Sequence, residues 1–150
     1  MTRTQRIKPV QRLVDDRERE QAKVVAQHRQ KVSTAEAKLA ELVRYRGDYQ
    51  VGFQKEASNG CSSLRLRDYK LFLARLDEAI RQQELAVARA RGDMETETQR
   101  WHESLRKSKA LGVVVDKWRG EERRAADRQE QIETDERAAG MAARRPKADS

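Results

Sequence analysis

The chain carries one apolar rhythm twice. The positions Val25, His28, Val32, Ala35, Leu39, Leu42, Arg46, Tyr49 and Phe53 are separated alternately by three and four residues. That alternation marks the seam of a coiled coil, one stripe of a helix held against a partner helix. A second register runs Tyr69, Leu73, Leu76, Ile80, Gln83, Val87, Ala90, Met94, Glu97, Trp101, Ser104, Ser108, Leu111, Val115, Trp118. It continues more weakly through Ala125, Ile132 and Ala139. Between the two lies SNGCSS, residues 58–63. Asn-Gly is a turn pair, and Gly60 suits the left-handed residue that ends a helix. Ser62 or Ser63 can cap the helix that follows.

The pattern predicts an all-α fold, a two-helix hairpin forming a single coiled-coil domain. Its elements are a helix over about 9–57, a turn at 58–63, a helix over about 64–139 and a disordered tail over 140–150. Pro9 fits the first turn of a helix, where its missing N–H costs nothing, and Pro146 ends any helix. Gly92, Gly112 and Gly120 fall inside the second helix as tolerated costs. The run DDREREQ (15–21) reads as solvated or partner-facing. Helices joined by a short loop lie antiparallel, so folding between Gly60 and Cys61 makes the numbers of facing residues add to about 121. Tyr45 then faces Leu76, Tyr49 faces Phe72, Leu42 faces Ala79, Lys38 faces Gln83 and Val10 faces Leu111. Residues beyond about 112 overhang with no partner in the first helix.

Composition agrees with long helices and a narrow seam. Charged residues make up 39% of the 150 and hydrophobic ones 37%. High charge with low hydrophobicity is also the signature of disorder, but both signs are interspersed along a periodic seam. The formal net charge is +8, with its excess nearest the N-terminus, which suits anionic partners. A nucleic-acid-binding coiled coil is an alternative reading; acidic residues dilute the basic ones along both helices, and no continuous basic stripe leads into a zipper. One cysteine, Cys61, excludes an internal disulfide and suggests a reducing compartment. No apolar run reaches the length of a membrane span, and the first residues lack a signal peptide's apolar stretch. The expectation is a soluble cytoplasmic protein.

Nothing in the chain points to catalysis. His28 and His102 are isolated, and Cys61 has no histidine near it in sequence. There is no phosphate-binding Gly-rich loop and no metal-ligand spacing, so no cofactor is expected. The informative residues are aromatic. Tyr45, Tyr49, Phe53, Tyr69 and Phe72 are five of the seven aromatics and fall close to the turn. Tyr49, Phe53 and Tyr69 occupy seam positions. Tyr45 and Phe72 sit one place off the seam, where a two-helix coil has no third layer to cover them. Half-covered aromatic rings on a helix face are typical anchors for a partner.

Several stretches resemble the flagellar FliJ family of the bacterial type III export apparatus. They are ELVRYRGDYQ (41–50), the SNG turn, DYKLFLARLDEAI (68–80), RWHESLRKSKAL (100–111), KW at 117–118, EERRAADRQEQIETDERA (121–138) and AARRPK near the end. The resemblance spans Pro9 to Lys147, and its more specific part is the Tyr-x-x-x-Tyr element before the Asn-Gly turn with Tyr-x-x-Phe after it. It implies an antiparallel coiled coil similar to the rotor stalk of rotary ATPases. It implies a non-enzymatic protein that binds the hexameric export ATPase, promotes its assembly, links it to the membrane export gate and escorts export chaperones. Such a protein is peripheral at the inner face of the cell membrane. The matching positions imply a gate-binding patch of Lys38, Leu42, Tyr45, Tyr49, Phe72, Leu76, Ala79 and Gln83. The open end implies ATPase-ring contacts at Ile7, Val10, Arg12, Leu13, Trp118, Arg119, Arg123, Arg124 and Arg128. An injectisome stalk homologue is the alternative within the same class of machine.

Overall fold

A computed structural model describes residues 1–144. Two helices account for nearly all of them, α1 at Arg3–Ser58 and α2 at Ser63–Arg144. The described residues contain no strand. The helices pack against each other antiparallel in both of the compact units into which the chain divides. One unit is Glu18–Ser104, which contains the turn; the other joins Met1–Arg17 to Leu105–Ser150.

The turn forms for the reasons its residues supply. Gly60 adopts φ 93°, a left-handed value that costs an L-residue side chain about 1–2 kcal/mol. Its N–H donates to the Ala57 carbonyl at 3.2 Å, and that of Asn59 to Glu56 at 3.1 Å, closing the end of α1. Ser62 is the cap of α2: its hydroxyl accepts from the Arg65 N–H at 3.2 Å. The Cys61 thiol donates to the Ser62 carbonyl at 3.5 Å.

α1 begins at Arg3, earlier than a start at Pro9 predicts. The cause is a reciprocal cap at Thr2. Its hydroxyl accepts from the Gln5 N–H at 3.2 Å, while the Gln5 side-chain oxygen accepts from the Thr2 N–H at 3.0 Å. A capping box of this kind satisfies two orphan donors at once. Pro9 therefore lies inside the helix, where it removes one backbone hydrogen bond. At the other end, residues 140–144 are helical rather than a disordered tail. Ala142, Ala143 and Arg144 are strong helix formers, and one glycine at 140 costs only about 1 kcal/mol. The rest of the expected tail, and Pro146, lie outside the described residues.

The earlier start of α1 also moves the overhang. In the unit that contains both ends, Arg3 pairs with Glu121 at 2.8 Å, and the Thr4 N–H donates to Glu122 at 3.2 Å. Paired helix thus extends to Glu122, not to 112. From Arg123 to Arg144 every residue is exposed. The seam repeat persists there at Ala125, Ile132 and Ala139, with nothing across from it.

The core is the seam. In Glu18–Ser104 the buried apolar residues are Val25, Val32, Leu76 and Val87; in the other unit Val115 is the most fully buried. Every other position of the two registers up to Trp118 is half-buried. Several polar positions of the seam bond across it. Arg46 pairs with Asp77, Gln21 donates to Glu97 at 2.7 Å, and the Trp101 indole N–H donates to Glu18 at 3.0 Å. In the other unit Ser108 donates to Asp15 at 2.6 Å. A buried polar group with a partner is tolerated where an orphaned one is costly. Among the described residues, no helix is long and apolar enough to cross a membrane.

Candidate interaction surface

Within Glu18–Ser104 the five rings form one ladder across the two helices. Phe53 stacks on Tyr69 with ring centroids 3.6 Å apart and planes within 7°. Tyr69 stacks in turn on Tyr49 at 5.3 Å. Tyr49 meets Phe72 at 4.5 Å, and Phe72 meets the edge of Tyr45 at 6.2 Å and 81°. The i, i+4 spacing of Tyr45, Tyr49 and Phe53 puts their rings above one another on α1. The three-residue step from Tyr69 to Phe72 slots two rings between them. An edge-on pair such as Tyr45 with Phe72 is worth about 0.5–1.5 kcal/mol beyond its buried area, more favourable than the face-to-face stack of Phe53 on Tyr69.

The rings are not equally used by the fold. Tyr49, Phe53, Tyr69 and Phe72 are half-buried. Tyr45 ends the ladder with 51% of its surface exposed. Of the other patch residues, Leu76 is buried, Leu42 and Ala79 are half-buried and Lys38 is exposed. Gln83 is turned into the seam, where its amide donates to the Ala35 carbonyl at 3.0 Å. The face beyond the ladder is open: Asp48, Gly52 and Glu56 border a shallow groove beside Tyr49 and Phe53. A Cβ added at Gly47 or Gly52 meets nothing within 4 Å.

Charge flanks the patch. The hydrogen bond that Arg46 donates to Asp77 holds its guanidinium above its ordinary pKa, with their Coulomb attraction adding to it. Hydrogen bonds from Arg81 and then Gln82 hold the Glu78 carboxyl below its ordinary value. The arrangement presents apolar rings, a phenol hydroxyl and fixed ion pairs. It offers no nucleophile with a base, and the described residues contain no group of three His, Cys, Asp or Glu placed for a metal.

In the unit holding both ends, Ile7 is half-buried, while Val10, Leu13, Arg12 and Arg119 are exposed. Trp118 is half-buried beneath the Arg3 guanidinium, 5.0 Å from its ring centroid. Such a stack contributes on the order of 0.5–1 kcal/mol at a partly exposed site. The hydroxyl oxygen of Thr4 is buried without a hydrogen-bond partner. Arg123, Arg124 and Arg128 project from the unpaired stretch of α2. The sequence pattern gives no sign of the Arg3 clasp on Trp118 and Glu121, because it requires α1 to start at Arg3. The signal that finds it is Thr2-x-x-Gln5.

Residues 3–147 match a family model described as "FliJ: Flagellar FliJ protein". A curated relative, the "Flagellar FliJ protein" of Salmonella typhi, is 26% identical over 125 residues, covering 83% of this chain and 85% of that one. No solved structure matches the chain significantly.

Proposed function

The chain belongs to the flagellar FliJ family, and from that membership we propose that it is the non-enzymatic central stalk of the flagellar export apparatus. The stalk binds the hexameric export ATPase, promotes its assembly and couples it to the membrane export gate. It also escorts export chaperones, and it sits on the cytoplasmic side of the membrane through its partners. The observation that carries the reading is the five-ring ladder: two helices hold it rigid and nothing covers its Tyr45 end.

Gate contact is assigned to Tyr45 with Tyr49 and Phe72 behind it, and to Leu42, Leu76 and Ala79 alongside. Lys38 and Gln83 are the edge, of which Lys38 is the more accessible. ATPase contact is assigned to the open end. A single helix exposed on all sides is marginal in water unless something packs on it. The unpaired stretch from Arg123 therefore needs a partner, and its Arg123, Arg124 and Arg128 suit an acidic pore lining. Val10, Leu13, Arg12 and Arg119 add an apolar and basic shoulder. Ile7 and Trp118 serve it mainly by packing within the chain.

Deleting everything after Glu122 tests the ring assignment. All buried and half-buried positions among the described residues stay in place, so the unfolding free energy is expected to change by less than about 0.5 kcal/mol. Co-sedimentation with the export ATPase, and stimulation of its hexamer, are expected to fall at least about tenfold, the effect of losing 1.4 kcal/mol of contact. Full stimulation by the shortened chain would remove the assignment.

A further inference from the structure

A second apolar stripe runs along α2, outside the surfaces described so far. Leu64, Leu71 and Leu85 are 69%, 54% and 64% exposed. With Glu78 they are spaced by sevens, so they share one side of the helix. That side points away from the seam residues Leu73, Leu76 and Ile80. Leucines at heptad spacing on the back of a helix already paired through its front are the requirement of another helix. Near the turn, Leu66 and Leu71 border a shallow groove with Arg67 and Lys70 in it. Over residues 63–75 the charges are Arg65, Arg67, Lys70 and Arg75 against Asp68, a formal +3.

The same chain carries the complement. In the overhang, residues 127–136 hold Asp127, Glu130, Glu133, Asp135 and Glu136 against Arg128, a formal −4. Ile132 stands among them, 51% exposed. All of 123–144 is exposed helix. The chain thus has an acidic segment, 127–136, around an exposed Ile132, and a leucine stripe whose turn end, 63–75, is basic.

We propose that the Leu64–Leu85 stripe of α2, at its basic turn end, docks the acidic 127–136 segment of the overhang of a second copy of this chain. Ile132 packs between Leu64 and Leu71, and the flanking carboxylates meet Arg67 and Lys70. Two copies exchanging overhangs reciprocally close as a dimer; one-way docking makes longer chains. The proposal does not depend on the ring assignment. A ring that takes the overhang competes with self-association, so the ATPase dissolves the assembly.

Sedimentation of the full chain across the micromolar range tests this. The average mass is expected to rise above 17.4 kDa with concentration, and to return to it in high salt, which screens the charge pairs. Leu64→Glu with Leu71→Glu is expected to weaken association at least about tenfold, one decade of dissociation constant. Circular dichroism stays unchanged, because both side chains are exposed, and ATPase stimulation is retained. Arg67→Glu with Lys70→Glu is expected to be monomeric, as is Glu133→Lys with Glu136→Lys, whereas a mixture of the two associates. A wild-type chain that stays monomeric throughout overturns the proposal. So does a Leu64, Leu71 variant that associates like wild type. Loss of association with those leucines but not with the overhang charges overturns the choice of occupant, in favour of stripe against stripe or another helix.

Discussion

Tyr49→Ala is expected to lower the unfolding free energy by about 2–4 kcal/mol, toward the lower part of the range for removing an aromatic ring from a core. Tyr49 sits mid-ladder, between Tyr69 at 5.3 Å and Phe72 at 4.5 Å. Removing it deletes both ring contacts and opens a gap that the helices cannot close, because their spacing is fixed by the seam on either side. The ladder is the main apolar packing between Leu76 and the turn, so its loss also loosens the hairpin end. Urea unfolding followed by circular dichroism measures the change. A loss under 0.5 kcal/mol, the range of ordinary surface substitutions, would show that the rings do not hold the helices together.

Tyr45→Ala is expected to do the opposite. It removes one edge contact with Phe72 and a half-exposed ring, so stability falls by no more than about 1.5 kcal/mol. Affinity for the cytoplasmic part of the export gate falls about 30-fold or more, the effect of losing a hot-spot anchor worth 2 kcal/mol. Isothermal titration with the gate domain reads it directly. The contrast between these neighbouring tyrosines would separate the half of the ladder that holds the fold from the half proposed to bind. Substituting Tyr45, Tyr49 and Phe72 together would confound the two.

The sequence displays much of the packing. The three-four alternation predicts the buried and half-buried seam positions up to Trp118, and Asn59-Gly60 predicts the turn. Tyr45 and Phe72, one place off the seam, are predicted to be partly exposed, and both are, Tyr45 more than Phe72. Pairing of rings follows from antiparallel arithmetic to within one helical turn. What the pattern conceals is side-chain reach. Arg46 breaks the apolar rhythm but is satisfied across the seam by Asp77. Gln83 reads as a patch edge, yet its amide finds the Ala35 carbonyl inside. The start of α1 is misplaced because Pro9 is a louder signal than a Thr-x-x-Gln capping box. That error moves the last paired residue from 112 to 118, and the rise of the facing sum from 121 to about 124–126 at this end carries it on to Glu122.

The claim on which the functional account rests is that the export gate lands on the ladder's open end and the ATPase on the unpaired stretch of α2. Amide hydrogen exchange of the full chain, alone and saturated with the gate's cytoplasmic domain, tests it most directly. The prediction is slowed exchange confined to peptides covering 38–49 and 72–83, with those covering 123–144 unchanged. Protection at 123–144 with none around Tyr45 and Phe72 would contradict it.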